Sequence, residues 1–165
     1  MARPAAGADR GRRPPQRYRA GRPALILYLD TSAFVKLLVP EPGSFETAER
    51  WLRARRRVSS RLLYPEARAA LARARRMGRL DASRHHAAIR RLEALWDAVY
   101  RIDLTGALAH RAGELADRHD LRAYDAVHLA SVEHARDRDL VVASHDVDLL
   151  QAAQSMGFAT TPRPL

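Results

Sequence analysis

The chain has 165 residues, of which 47% are hydrophobic, and it carries a formal net charge of +10 at pH 7 with no cysteine. This length suits one domain with a sizeable core, and the lack of cysteine excludes disulfides and thiolate metal or redox sites. No apolar run approaches the roughly 20 residues of a transmembrane helix, and the N-terminus lacks the apolar core of a signal peptide. We therefore expect a cytoplasmic protein with no membrane partner.

The positive charge is concentrated at the N-terminus. Residues 1–22 contain seven arginines against one aspartate, a net charge of +6, which leaves +4 for the rest of the chain. Proline and glycine recur here without a hydrophobic period, so we predict a disordered basic arm over 1–22 and a single domain over 23–165. The arm either has no role, as the product of a misplaced start codon, or contacts RNA nonspecifically. The modestly basic body favours a polyanionic partner such as nucleic acid.

Short apolar runs and helical periods alternate from residue 24 onward. The first half is predicted to contain a strand at 24–29, helices at 32–38 and 44–55, a strand at 57–60 and a helix at 65–77. The second half is predicted to contain a helix from Asp81 or Ser83 to Trp96, a strand at 98–102, helices at 106–119 and 124–136, a strand at 140–143, a helix at 146–156 and a strand at 158–160. This alternation predicts an α/β fold, with a parallel sheet covered by helices on both faces.

Four acidic residues stand where such a sheet places its working site, outside the carboxyl ends of the strands. Asp30 directly follows the first strand, Glu66 follows the second across a short connection, and Asp146 follows the strand at 140–143. Asp125 lies in the first turn of a helix and joins the others if that helix packs beside the same edge. Clustered carboxylates repel one another unless cations neutralise them, and Mg²⁺ and Mn²⁺ prefer oxygen ligands.

Each acid also has a structural explanation. Asp30 and Asp146 can be helix N-caps, while a first-turn acid such as Glu66 favours the helix dipole without any metal. Two further aspartates compete for a place in the site, since Asp103 also follows a strand and Asp148 lies two residues beyond Asp146. The residue pattern alone therefore leaves the metal site open.

Four segments resemble, in order, the motifs of PIN-domain proteins. They are residues 29–33 (LDTSA), 64–71 (YPEARAAL), 121–130 (LRAYDAVHLA) and 141–149 (VVASHDVDL). The third segment is the most specific match, and the resemblance covers roughly residues 26–160. The size of the chain and the wording of the motifs are similar to the VapC branch, whose members are the toxins of toxin–antitoxin pairs.

The resemblance implies a three-layer α/β/α sandwich and RNA cleavage that depends on Mg²⁺ or Mn²⁺. It implies that Asp30, Glu66, Asp125 and Asp146 form the catalytic acidic quartet. Within it, Asp30, Asp125 and Asp146 are the expected metal ligands. The hydroxyls of Thr31 and Ser144 are expected to support the site by orienting an acid or a water.

The resemblance also implies partners. These are an RNA substrate, a cognate VapB-like antitoxin, a second copy of the chain in a homodimer, and operator DNA reached only through the antitoxin. Two other interpretations remain open at the level of sequence. One is a non-catalytic RNA- or ribosome-binding module with the same fold, and the other is an interaction subunit that only serves its antitoxin. His128 is interpreted as a packed or hydrogen-bonded histidine, since no HExxH zinc motif occurs.

Overall fold

The computed structural model describes residues 25–161, so the basic arm predicted over 1–22 lies outside the described residues. A parallel sheet forms the centre of this part of the chain. Its five strands are β1 (Ile26–Leu29), β2 (Arg56–Ser60), β3 (Val99–Ile102), β4 (Leu140–Ala143) and β5 (Ala159–Thr160).

Seven helices accompany the sheet within residues 25–161. They are α1 (Thr31–Leu38), α2 (Ser44–Arg53), α3 (Leu63–Arg76), α4 (Ala82–Trp96), α5 (Gly106–His119), α6 (Ala123–His134) and α7 (Val147–Ser155). Each strand and helix predicted from the sequence is present, and their ends differ from the prediction by at most two residues.

The start of α3 differs from the prediction for a local reason. The sequence suggested that Pro65 opens this helix, but the helix begins at Leu63 and Pro65 is its third residue. The first backbone N–H groups of a helix have no carbonyl partner within it, so a proline in the first turn costs no hydrogen bond. The position of a proline therefore fixes a helix start only to within one turn.

The strand order places a reversal at the centre of the sheet. The order is β3-β2-β1-β4-β5, and all neighbours run parallel. The chain first builds the sheet outward from β1 through β2 to β3, and then returns to the other side of β1 to add β4 and β5. The loops after β1 and β4 therefore diverge, and a crevice opens between them at the carboxyl edge.

The two faces of the sheet carry separate cores. Along β1 the side chains alternate, so that Ile26 and Tyr28 pack with α5, α6 and α7, whereas Leu27 and Leu29 pack with α1 to α4. All four residues are at most 4% exposed, as expected for a central parallel strand covered on both faces. The expected α/β/α sandwich is confirmed. No helix within residues 25–161 is long and apolar enough to cross a membrane.

Candidate active site

The candidate site lies at the carboxyl ends of β1 and β4, the two strands that meet where the strand order reverses. Asp30 follows β1 directly, and its backbone N–H donates to the carbonyl of Ala143, the last residue of β4, at 3.1 Å. Asp146 follows β4 after two residues and precedes α7. A backbone hydrogen bond therefore joins the ends of β1 and β4 directly.

The Asp30 carboxylate is buried and surrounded by donors. Its exposure is 4%, and Oδ1 accepts a hydrogen bond from the Ala33 backbone N–H at 2.9 Å, which makes Asp30 the N-cap of α1. The Ser32 hydroxyl lies 2.9 and 2.8 Å from the two carboxylate oxygens, and the Ser144 hydroxyl donates to Oδ2 at 2.7 Å. These donors stabilise an ionised carboxylate in one orientation.

The same two hydroxyls tie the loop after β4 to the start of α1. Ser32 Oγ accepts from the backbone N–H of His145 at 2.7 Å, and Ser144 Oγ accepts from that of Asp146 at 2.9 Å. Asp146 Oδ1 in turn caps α7 by accepting from the Leu149 N–H at 2.9 Å. The structural explanation of Asp30 and Asp146 as N-caps is thus correct, and capping is what places both carboxylates in the crevice.

Glu66 lies in the first turn of α3 and is held through one oxygen. Its Oε2 accepts from the Thr31 hydroxyl at 2.5 Å and lies 2.9 Å from His128 Nε2. Burial alone raises the pKa of Glu66, but the hydrogen bonds from His128 and from the Thr31 hydroxyl lower the pKa below its ordinary value. Glu66 is therefore ionised at neutral pH.

Asp125, in the first turn of α6, has the opposite environment. It is partly buried and makes no hydrogen bond or ion pair with the described residues 25–161. Burial raises its pKa, and the charges of Asp146, Asp30 and Glu66 raise it further. The other three predicted acids therefore all act in the same sense on Asp125, by raising its pKa.

The two competing aspartates lie elsewhere. Asp103 follows β3 at the edge of the sheet, where its exposed side chain pairs with Arg61. Asp148 is exposed on α7 and lines a separate cleft with His119 and Asp120. Neither is among the residues that chiefly shift the pKa of Asp125.

The residues present suit a hard divalent cation. Within residues 25–161, no group of three or more histidine or acidic side chains is already arranged to hold a metal ion. Mg²⁺ is usually held by one or two carboxylates together with waters and substrate phosphate, so it does not require such a protein cage. The all-oxygen donor set and the unpartnered, repelled carboxylate of Asp125 both fit this mode of binding.

Comparison with known families gives one decisive match. The family model of the PIN domain matches residues 27–154, which is most of the chain. The chain belongs to the PIN-domain family. The resemblance seen in the sequence motifs is thereby confirmed.

Among PIN-domain relatives, the VapC ribonucleases are the relevant branch. The chain is 44% identical over 140 residues to Ribonuclease VapC45 of Mycobacterium tuberculosis (strain CDC 1551 / Oshkosh), a match that covers 85% of this chain and 97% of the relative. This chain is accordingly a member of the VapC ribonuclease family, and PIN nucleases are typically metal-dependent.

Solved structures share the fold at lower identity. VapC20 of Mycobacterium tuberculosis, described as a sarcin–ricin loop cleaving toxin, superposes with a TM-score of 0.62 at 22% identity, covering 81% of this chain and 96% of that one. VapBC2 from Rickettsia felis, bound to a DNA fragment from its promoter, gives 0.59 at 11% identity, covering 83% of this chain and 98% of that one. Structural neighbours of this PIN domain thus include toxin–antitoxin assemblies.

Sequence reasoning missed part of the PIN-domain site. Ser32 was not predicted to take part, although it bonds both Asp30 and the loop after β4. A short hydroxyl residue two positions after a capping aspartate is a local signal that could have found it. His128 is indeed hydrogen-bonded, as interpreted, but its link to Glu66 spans 62 residues and has no local signature.

Proposed function

We propose that Asp30, Asp125 and Asp146 hold Mg²⁺, or Mn²⁺ in its place, and that Glu66 completes the catalytic quartet for hydrolysis of an RNA phosphodiester. The observation that carries this proposal is the environment of Asp125. Its carboxylate lacks any donor within residues 25–161 and faces the charges of the other three acids. A bound cation relieves this repulsion, which gives the arrangement a physical reason to exist.

The four carboxylates differ in how much of their hydrogen-bonding capacity the protein uses. Asp30 accepts bonds on both oxygens, so it is the most rigid member. Asp146 uses Oδ1 for its cap, and Glu66 uses Oε2 for Thr31 and His128. The second oxygens of Asp146 and Glu66 have no partner among the described residues and remain for metal, water or substrate.

This arrangement fits hydrolysis by a water molecule. If bound by these carboxylates, Mg²⁺ would lower the pKa of the attacking water and would add positive charge beside the phosphodiester. Glu66, ionised at neutral pH, orients the water by accepting a hydrogen bond. The water oxygen forms a bond to phosphorus and releases a proton, the P–O bond to the leaving oxygen breaks, and the leaving oxygen takes up a proton, so the overall reaction adds one water. The N-termini of α1 and α7 both open at the site, and their dipoles favour the anionic phosphate.

The partners proposed for this chain follow from its relatives. VapC45 is named a ribonuclease, and VapC20 cleaves the sarcin–ricin loop, which supports an RNA substrate here. The Rickettsia felis assembly supports a VapB-like antitoxin that blocks the site and carries the contact to operator DNA. We further propose a homodimer and a single nuclease domain over 23–165, while the cytoplasmic location stays a prediction.

The direct test is cleavage of total cellular RNA, tRNA included, by purified antitoxin-free protein. Reactions run with Mg²⁺, with Mn²⁺ and with EDTA, and Asp125→Asn serves as the matched inactive variant. We expect discrete fragments only with metal and only from the unmodified protein. Intact RNA in every reaction, from protein shown to be folded by circular dichroism, would contradict the proposal and favour the RNA-binding module.

The toxin role has its own test. Expression of the chain alone is expected to arrest growth, and coexpression of its antitoxin is expected to restore growth. Expression of Asp125→Asn at the same level provides the control and should leave growth unaffected. Arrest that persists in this variant would show that toxicity does not come from RNA cleavage.

A further inference from the structure

Tyr28 and His128 form a buried series of hydrogen bonds that ends at Glu66, and neither residue belongs to the acidic quartet. Tyr28 on β1 and His128 on α6 are 0% and 2% exposed, and the phenol oxygen lies 2.9 Å from His128 Nδ1. The other ring nitrogen, Nε2, lies 2.9 Å from Glu66 Oε2. The two rings meet edge to face at 6.0 Å, so packing fixes the imidazole as well as hydrogen bonding.

The chemistry of this chain sets the direction of its hydrogen bonds. The Tyr28 phenol is fully buried and neutral, so it is able to donate its proton to Nδ1 at 2.9 Å. A neutral imidazole that accepts at Nδ1 must carry its proton on Nε2. That N–H faces the Glu66 carboxylate, so the ring donates to the acid without needing a charge of its own, which burial would disfavour.

The consequence for Glu66 is a fixed orientation. Two donors, the Thr31 hydroxyl and the His128 N–H, converge on Oε2 from different elements, α1 and α6. Oε1 has no partner among the described residues. The Glu66 carboxylate therefore has one oxygen, Oε2, that the protein holds in place, and a second oxygen, Oε1, that is left for the reaction.

We propose that His128 is a positioning residue of the nuclease, held by Tyr28 in the Nε2–H tautomer, and that it fixes Glu66 so that Oε1 serves the reacting water. This inference rests on the catalytic role proposed for Glu66. Helix α6 then carries both a proposed metal ligand, Asp125, and the positioning residue His128, which lies one turn later on the same helical face.

Three variants separate positioning from packing. His128→Leu removes both hydrogen bonds, Tyr28→Phe removes only the phenol hydroxyl, and His128→Gln restores an N–H donor for Glu66. Loss of a residue that orients a catalytic ligand costs about 10–100-fold in activity. With an RNA oligonucleotide that the unmodified protein cleaves, we expect His128→Leu to lower kcat by that factor with KM nearly unchanged.

The other variants are expected to follow the same logic. His128→Gln should recover part of the lost kcat, and Tyr28→Phe should give a smaller loss than His128→Leu. Thr47→Val is the matched control, since it removes a buried hydroxyl bonded at 2.8 Å to the Gly43 carbonyl and should leave kcat unchanged. A His128→Gln protein no more active than His128→Leu would overturn the proposal.

A double variant tests whether His128 acts through Glu66. Residues that act through one another give non-additive losses. We expect Glu66→Gln combined with His128→Leu to be no less active than Glu66→Gln alone. Losses that simply multiply would mean that His128 acts independently of Glu66, and the proposal would be wrong.

The tautomer is tested without any activity measurement. Nitrogen-15 NMR of the unmodified metal-free protein at pH 8 reports which ring nitrogen of His128 carries the proton. The proposal expects the proton on Nε2 alone. A proton on Nδ1, or on both nitrogens, would overturn it. If the unmodified protein cleaves no RNA, the proposed function fails, whereas this spectrum still shows whether His128 donates from Nε2 to Glu66.

Discussion

An aspartate directly follows both β1 and β3, but the central and the edge strand give these acids different surroundings. Asp30, after β1, is 4% exposed and accepts hydrogen bonds from two serine hydroxyls and a backbone amide. Asp103, after β3, has a side chain that is 63% exposed and pairs with Arg61 in solvent. The same local pattern thus produces a buried site residue in one place and a surface ion pair in the other.

The difference comes from the position of each strand in the sheet. β1 lies between β2 and β4, where the order reverses, so two divergent loops enclose the end of the strand. β3 is an edge strand, and only one neighbour flanks its end. An acid that follows a strand therefore predicts a site only when neighbouring strands on both sides enclose the end of that strand.

The largest expected effect is loss of cleavage in Asp125→Asn. The amide keeps the size of the side chain but removes the charge that we propose binds the metal. We expect cleavage to fall by more than the roughly 100-fold upper range for residues that merely support a metal ligand. The measurement is the initial rate on one RNA substrate at saturating Mg²⁺. A rate within threefold of the unmodified protein would remove Asp125 from the site.

The next largest effect concerns the hydroxyls that hold Asp30. Ser144→Ala and Ser32→Ala each remove a donor from a buried carboxylate, and we expect each to lower the cleavage rate by about 10–100-fold. Ser59→Ala is the control, because this buried hydroxyl bonds at 2.6 Å to the carbonyl of Leu29, just before the acid. An equal loss in the control would show that any buried hydroxyl in this region matters.

A smaller effect is expected on stability in the absence of metal. Because the folded-state pKa of Asp125 is raised, the folded protein binds this proton more tightly than the unfolded chain does, and stability falls as pH rises through that window. In EDTA at pH 7.5, Asp125→Asn should melt a few degrees above the unmodified protein. As pH falls through the raised pKa, the difference should shrink. Thermal unfolding at pH 7.5 and at a pH below the raised pKa of Asp125 checks this. A variant less stable than the unmodified protein in EDTA at pH 7.5 would contradict the proposed repulsion.

The smallest effect separates two acids that stand two residues apart. Asp148 lies in a different cleft, so Asp148→Asn should change the cleavage rate by less than about twofold, as for a surface substitution. Asp146→Asn should lower the rate strongly while keeping the helix cap, because asparagine caps as well as aspartate. Equal rates in the two variants would mean that the assignment of the fourth acid is wrong.

Much of the fold was predictable because its signals are local. Apolar runs predicted the strands, and of the two candidates for the start of α4, Asp81 and Ser83, the structure has Asp81 as the N-cap. The ends of elements shifted by up to two residues, as at Leu63, because a first turn tolerates proline at several positions.

The site was predictable only in part. Its acids follow strands or open helices, which is visible in sequence, but the choice between Asp30 and Asp103 depends on strand order, which no local pattern contains. The contacts of Tyr28 with His128 and of Ser144 with Asp30 join residues 100 and 114 positions apart. Such pairs arise only when α6 and the loop after β4 pack onto β1.

The most direct test of the account compares Asp30→Asn with Asp103→Asn in the same RNA cleavage assay with Mg²⁺. Both variants remove one carboxylate that follows a strand, so they differ in whether that strand is central or at the edge of the sheet. We predict that Asp30→Asn loses cleavage while Asp103→Asn cleaves like the unmodified protein. Full activity in Asp30→Asn, or loss in Asp103→Asn, would contradict a catalytic centre between β1 and β4.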